Sequence, residues 1–178
     1  MLEKLLREFL EAGVGVERLA VITAYKGQRA FLRLQLLRGR ALPAEAATAL
    51  EINSIDGFQG REKDFVLIST VRSSPHNGIG FLRDARRLNV ALTRARFGLV
   101  VVGNADALAR DAMWNNYLAH LHARGLIFEG IELCGLKQSV RQFVPRALPA
   151  AQPRPGAGGD RFDDSHRVSQ AGFACRRD

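Results

Sequence analysis

Cysteine is scarce. Cys134 and Cys175 are the only two in 178 residues, and their spacing fits neither a metal site nor a disulfide framework. That usage suits a reducing compartment, so the cytoplasm or nucleus is the expected location. The histidines, His76, His120, His122 and His166, show no metal-ligand pattern. No apolar run approaches the roughly 18 residues that read as a membrane span. The first ten residues alternate acids with leucines at helical spacing, which reads as an amphipathic surface helix and not a signal peptide. No internal repeat is visible. A phosphate-cradling P-loop would read Gly-x-x-x-x-Gly-Lys-Ser/Thr. The nearest approach, Gly130 to Gly135, is followed by Leu136 where lysine is required. No Asp-Glu pair stands at the end of an apolar strand to hold Mg²⁺. Asp163-Asp164 lies in a polar stretch and reads as solvated.

Positive charge, by contrast, is plentiful. A net charge of +8 and a pI near 10.5 favour a polyanionic partner. Arginine heavily outnumbers lysine, and a GC-rich coding sequence would produce the same excess, so composition alone does not separate the two readings. The length suits one domain. Strands are expected near 19–23, 49–55, 64–71 and 98–103, the third with an almost continuous apolar run, as in a parallel sheet buried on both faces. Helices are expected over 2–12, Lys26 to Leu37, 84–95, 105–110 and 111–123, with Asp84 and Asn104 as N-caps. The stretch after Pro43 reads as an Ala-rich loop. This alternation points to a doubly wound α/β sheet with helices on both faces. Ligands of such sheets sit at the carboxyl ends of the strands. Trp114 and Phe128 read as core residues.

Two segments carry candidate chemistry. Residues 53–72 place Gly57 and Gly60 around Phe58-Gln59, then a charged turn, Arg61-Glu62-Lys63-Asp64, leads into the apolar strand. Glycines there permit positive φ or close backbone approach. Residues 84–96 hold Arg86, Arg87, Arg94 and Arg96 among Leu88, Val90, Ala91 and Leu92. Read as one helix, they form an apolar flank and a guanidinium flank, and arginine's planar fork of donors matches phosphate oxygens.

Together the segments resemble a known family. Ser-Ile-Asp-Gly-Phe-Gln-Gly-Arg-Glu-Lys-Asp, from Ser54, resembles helicase motif V, and residues 80–96 resemble motif VI. Residues 21–28, Val-Ile-Thr-Ala-Tyr-Lys-Gly-Gln, resemble motif IVa, with Ala24 where proline is usual. Val100-Val101-Val102-Gly103-Asn104 and Trp114-Asn115 match downstream. The resemblance is to the up-frameshift helicases of nonsense-mediated mRNA decay and their superfamily 1B relatives. It covers roughly residues 1–133.

The resemblance implies a second RecA-like domain, truncated at its N-terminus, with a mainly parallel sheet. It implies ATP and Mg²⁺ as cofactors, the Mg²⁺ ligands lying in a first RecA-like domain absent from this chain. Arg94 would be an arginine finger on the γ-phosphate. Gly60, Arg61 and Glu62 would lie by the nucleotide, Glu62 accepting from a ribose hydroxyl or, alternatively, forming a charged turn with Lys63. Gln59 would couple nucleotide state to the nucleic-acid channel, and Asp56 would organise the loop. Thr23 and Ser54 are either donors to a single strand of RNA or DNA, or strand-end caps. Arg96 is expected in a structural salt bridge, Tyr25 in packing or strand contact, and the roles of Arg86 and Arg87 stay open. The implied function is the C-terminal half of an ATP-dependent, 5′-to-3′ helicase motor, with this chain alone expected not to hydrolyse ATP. The alternative is a non-catalytic remnant that binds nucleic acid or a partner.

From about Gln138 the character changes. Pro145, Pro149, Pro153 and Pro155 accompany several glycines, and few aliphatic residues follow. Such a segment buries too little apolar surface to offset its ordering entropy. Residues 1–137 are therefore expected to fold as the domain, and 138–178 to be a disordered tail whose scattered arginines are further candidate nucleic-acid contacts.

Overall fold

Strand β1, Leu19–Thr23, is buried along its whole length and lies between two parallel neighbours, β2, Glu51–Asn53, and β3, Lys63–Ser69. β4, Ala95–Gly103, pairs in parallel with the other side of β3. This is a computed structural model, and it describes residues 1–39, 42–71, 79–130, 137–139 and 141–148, with 171–175 described as backbone. The sheet continues beyond β4 through β5, Ile127–Glu129, β6, Lys137–Gln138, and β7, Ala171–Cys175, in the order β2-β1-β3-β4-β7-β5-β6. Only the β5–β6 pair is antiparallel among the described strands.

Alternate strand residues feed two cores. On one face, Leu19, Val21, Ile52 and Leu67 pack with Leu2 and Leu6 of α1 (Leu2–Glu11), Leu32 and Leu36 of α2 (Lys26–Arg38) and Ala47 of α3 (Ala44–Ala49). On the other, Ala20, Ile22, Val66, Ile68, Leu99 and Val101 pack with α4 (Ala85–Leu92), α5 (Ala105–Leu108) and α6 (Ala112–His122). The connection β1–α2–α3–β2 runs to one side of β1, and β3–α4–β4 runs to the other. Right-handed crossovers in opposite directions put their helices on opposite faces, as found. The result is a doubly wound α/β fold, as the alternation implied, and a RecA-like one, as the resemblance implied.

Both anticipated caps form. Asp84 Oδ1 accepts from the amides of Arg86 at 2.9 Å and Arg87 at 3.4 Å, and Asn104 Oδ1 from Ala107 at 3.0 Å. Trp114 is fully buried, its Nε1 donating to the Leu82 carbonyl at 2.8 Å.

Several elements differ from expectation. The Ala-rich stretch is the helix α3, because alanine is the strongest helix former and Pro43 suits the position before its first turn. On α2, where the sequence pattern allows either of two faces to be buried, the buried pair is Leu32 and Leu36, and Phe31, Leu34 and Leu37 face outward. Phe128 is also exposed. The helix of motif VI stops at Leu92 and not at residue 95. There the Thr93 hydroxyl folds back onto the Asn89 carbonyl at 2.8 Å, and β4 starts at Ala95. Arg94 thus occupies a turn and Arg96 a strand, so the single guanidinium flank of one helix does not exist. Within 138–178, Asn115 and Asn116 of α6 hold the carbonyls of Val144 and Arg146. Asp163-Asp164, His76, His166 and Cys134 lie outside the described residues.

Candidate functional site

The connection from β2 to β3 sets the geometry of the site. Ile22 is level with both Asn53, at the carboxyl end of β2, and Ile68, near the carboxyl end of β3. Lys63, where β3 begins, is five residues back from Ile68. Residues 54–62 must therefore travel about 16 Å back along the strands. They do so as a strap with a 3₁₀ turn at Asp56–Phe58, pinned to the sheet by the fully buried Phe58 ring. One end of motif V consequently lies at the carboxyl edge and the other at the amino edge.

At the amino edge the strap ends in Gln59 and Gly60, both exposed, and then Arg61 and Glu62. Gly60 has φ +76°, which turns the chain into β3. Arg94 reaches this turn from the end of α4. Its Nη1 donates to the Arg61 carbonyl at 3.2 Å, Nε to the Val90 carbonyl at 2.9 Å, and Nη2 to the Thr93 hydroxyl at 3.1 Å. A guanidinium has five N–H donors, so two remain for an anion. The Arg94 carbonyl accepts from Lys63 N at 3.0 Å, tying the same turns together a second time. Arg96 Nε pairs with Glu62 Oε2 at 3.2 Å. Arg61 pairs with Glu51, which Lys63 also approaches at 3.5 Å, and Arg18 pairs with Asp64 at 2.6 Å. The alternative charged turn between Glu62 and Lys63 is not formed; each has another partner.

At the carboxyl edge a cleft of about 260 Å³ is lined by Ala24, Tyr25, Lys26, Ser54, Ile55, Asp56 and Arg87. It adjoins the point where the connections from β1 and β3 diverge, the usual crevice in such sheets. Arg87 clasps Asp56 through Nε at 3.2 Å and Nη2 at 3.4 Å, joining the motif VI helix to the strap. The Tyr25 hydroxyl donates to the Ile79 carbonyl at 3.3 Å. The Ser54 hydroxyl accepts from Gly57 N at 3.2 Å, a turn cap that still leaves its proton to donate. Gly57 is close-packed: a Cβ there would lie 2.5 Å from Asn53 Oδ1. Thr23 is fully buried at the end of β1, and its hydroxyl has no hydrogen-bond partner among the described residues.

The anticipated residues therefore fall into two groups. Gly60, Arg61, Glu62 and Arg94 gather at the amino edge with Gln59 beside them. Thr23 and Ser54 lie at the carboxyl edge, Ser54 at the cleft and Thr23 beneath the surface. The carboxyl-end rule covers only the second group, because the strap carries the first away from that edge. The Asp56–Arg87 clasp gives Asp56 its loop-organising contact and Arg87 a defined place. The bond to the Arg61 carbonyl has no signature in sequence, since any residue supplies a carbonyl. Among the described residues no group of three or more carboxylate, histidine or cysteine side chains is gathered to hold a metal ion.

Comparison with known proteins places these features in a family. A family described as an AAA domain matches residues 1–106, which include the strap, the cleft and both arginines of the turn. Regulator of nonsense transcripts 1 of Dictyostelium discoideum is 47% identical over 164 residues, 90% of this chain and 12% of that protein. ATP-dependent helicase upf1 of Schizosaccharomyces pombe is 44% identical over 152 residues, 85% of this chain and 16% of that protein. ATP-dependent helicase NAM7 of Saccharomyces cerevisiae is 43% identical over 153 residues, 86% of this chain and 16% of that protein. The chain thus spans less than a fifth of the length of these relatives. With identity to these relatives sustained over most of its length and the matched residues folded onto one RecA-like sheet, the chain belongs to the AAA-domain family.

Proposed function

We propose that this chain is the second RecA-like half of an ATP-dependent motor that moves along single-stranded RNA or DNA. The observation that carries the proposal is the bond from Arg94 to the Arg61 carbonyl at 3.2 Å, which makes motifs V and VI one unit at the amino edge. Phosphoryl transfer requires positive charge fixed where negative charge develops. Arg94 answers that requirement with a guanidinium held by three local acceptors and two N–H groups left to point at a γ-phosphate. Glu62 accepts from a ribose hydroxyl, while Gly60 and Arg61 form the turn beside it. ATP supplies the phosphoryl group, and the Mg²⁺ ligands belong to a first RecA-like domain.

The single strand lies at the carboxyl-edge cleft, where Lys26 and Arg87 supply positive charge and Ser54 a hydroxyl. Thr23 reaches a phosphate only if the wall above it opens. Gln59 and the strap connect the two edges: a shift of Gly60–Glu62 pulls on Asp56, its Arg87 clasp and the cleft. This is a route by which nucleotide state alters grip on the strand.

The test joins this chain to a matching first RecA-like domain. Arg94→Ala should cut ATP turnover by about 10³-fold or more, the usual order for an arginine finger. Strand affinity without nucleotide should change little, because Arg94 stands at the opposite edge from the cleft. Near-normal turnover would remove the finger assignment. Strand-stimulated phosphate release by the 178-residue chain alone, lost with Arg94→Ala, would show that the site is complete without a first domain.

A further inference from the structure

The ion pair between Arg96 and Glu62 has an unusual structural basis. β3 and β4 are in register at Lys63 and Ala95, and again at Phe65 and Gly98. Between those points β3 has Asp64 alone, whereas β4 has Arg96 and Phe97. The extra residue is a β-bulge in β4, and a bulge re-aims the side chains it carries. In an unbroken register Arg96 would stand beside Asp64. Asp64 is instead paired with Arg18 at 2.6 Å, and Arg96 turns to Glu62, one residue before β3 begins. The ring of Phe97 falls beside that of Phe65, with centroids 6.3 Å apart.

Stability does not account for this arrangement. The two side chains are 57% and 44% exposed, and exposed ion pairs contribute little or nothing measurable. What the pair does is hold a carboxylate. Glu62 follows a glycine-containing turn, and its side chain is exposed. The contact from Arg96 Nε occupies Oε2 and leaves Oε1 to accept from another donor. It also places a compensating positive charge against a carboxylate that would otherwise repel a nearby polyphosphate.

We propose that Arg96 is a positioning residue: through the β4 bulge it orients and neutralises Glu62 so that this carboxylate can accept from a ribose hydroxyl of a nucleoside triphosphate. The proposal rests on the ribose reading of Glu62 and assigns Arg96 no contact with the phosphates.

The experiment titrates the isotopically labelled 178-residue chain with ATP and, separately, with 2′,3′-dideoxy-ATP, following amide shifts at residues 59–64. The unaltered chain should prefer ATP by about fivefold, the factor of one net hydrogen bond. Glu62→Ala should bring the ratio to one. Arg96→Ala should also bring it to one, chiefly by weakening ATP, with the amide spectrum elsewhere unchanged. Arg96→Lys should restore part of the preference, which also guards against misfolding in the alanine variant. If Arg96→Ala keeps the full preference while Glu62→Ala loses it, the positioning role is wrong and the ribose reading stands. If Arg96→Ala weakens both nucleotides equally, Arg96 is a phosphate contact and the proposal is wrong. If the unaltered chain has no preference, the ribose reading of Glu62 fails and the proposal fails with it.

Discussion

Arg94 and Arg61 are separated by most of a crossover connection, yet the Nη1 of one donates to the carbonyl of the other at 3.2 Å. The position of the proposed finger therefore depends on the backbone path of motif V. That path turns on Gly60, at φ +76°.

Gly60→Ala isolates this dependence. A Cβ at Gly60 would meet nothing within 4 Å, so the cost is purely conformational. It should lower stability by about 1–2 kcal/mol, the penalty of a left-handed conformation for an L-residue. A urea midpoint shift without a change in slope would measure it. An unchanged midpoint would mean that the turn relaxes to negative φ. The Arg61 carbonyl would then turn away from Arg94, visible as a shift of the Arg94 side-chain resonance.

Thr23 has a buried hydroxyl with no partner among the described residues. Removing such a group while keeping the shape of the side chain relieves a desolvation cost. Thr23→Val should raise stability by about 1 kcal/mol. Single-strand affinity measured on the same variant decides its other role. No change would leave Ser54 as the hydroxyl at the interface, whereas a loss of several-fold would mean that the wall over Thr23 opens to the strand.

Tyr117 makes a pH-dependent contribution. Burial pushes its hydroxyl up from 10.0 to about 12, because the ionised form is poorly solvated beside Trp114 and the α6 core. The unfolded chain loses this proton first. The resulting stability is fully present below pH 10 and is lost as pH rises through about 12. Its size is at most about 2–3 kcal/mol, reduced because the ring is only partly buried. Tyr117→Phe should flatten the alkaline limb of the stability profile between those values. Identical alkaline limbs for the two proteins would show that the ring is solvated in solution.

Binding of nucleic acid by the chain should be weak, indifferent to sequence and steeply reduced by salt, as expected for a chain of net charge +8 acting through phosphate neutralisation. Lys26 lines the cleft and is exposed. Lys26→Ala should reduce the logarithmic salt slope on single strands by about 0.7, the share of one phosphate. Tight binding that survives a several-fold rise in salt, or a marked sequence preference, would point to readout of bases and away from the backbone.

Much of this protein was legible in its sequence, and for physical reasons. The apolar run from Phe65 to Val71 indicated a strand buried on both faces. Asp84 and Asn104 marked helix starts because a short acceptor side chain satisfies amides that have no partner within the helix. Gly57 and Gly60 marked special backbone for different reasons: at the first a larger residue would displace the Asn53 side chain, and at the second φ is positive. These are local preferences, and each acts within a few residues.

Only the tertiary structure decided the rest. Whether α2 buries Leu32 and Leu36 or the ridge of Phe31, Leu34 and Leu37 depends on which side of the sheet covers it, and the local pattern is compatible with either. The end of the motif VI helix at Leu92 follows from the return of Ala95 to β3, not from any helix-breaking residue. The partners of Arg94 and Arg96 depend on a carbonyl and on a one-residue bulge, neither of which has a side-chain signature. Sequence therefore determined which residue types were available at the site. The fold decided that Ser54 and Glu62, eight positions apart on one strap, face opposite edges of the sheet, because β2 and β3 run in parallel and the chain between them must travel back the length of a strand.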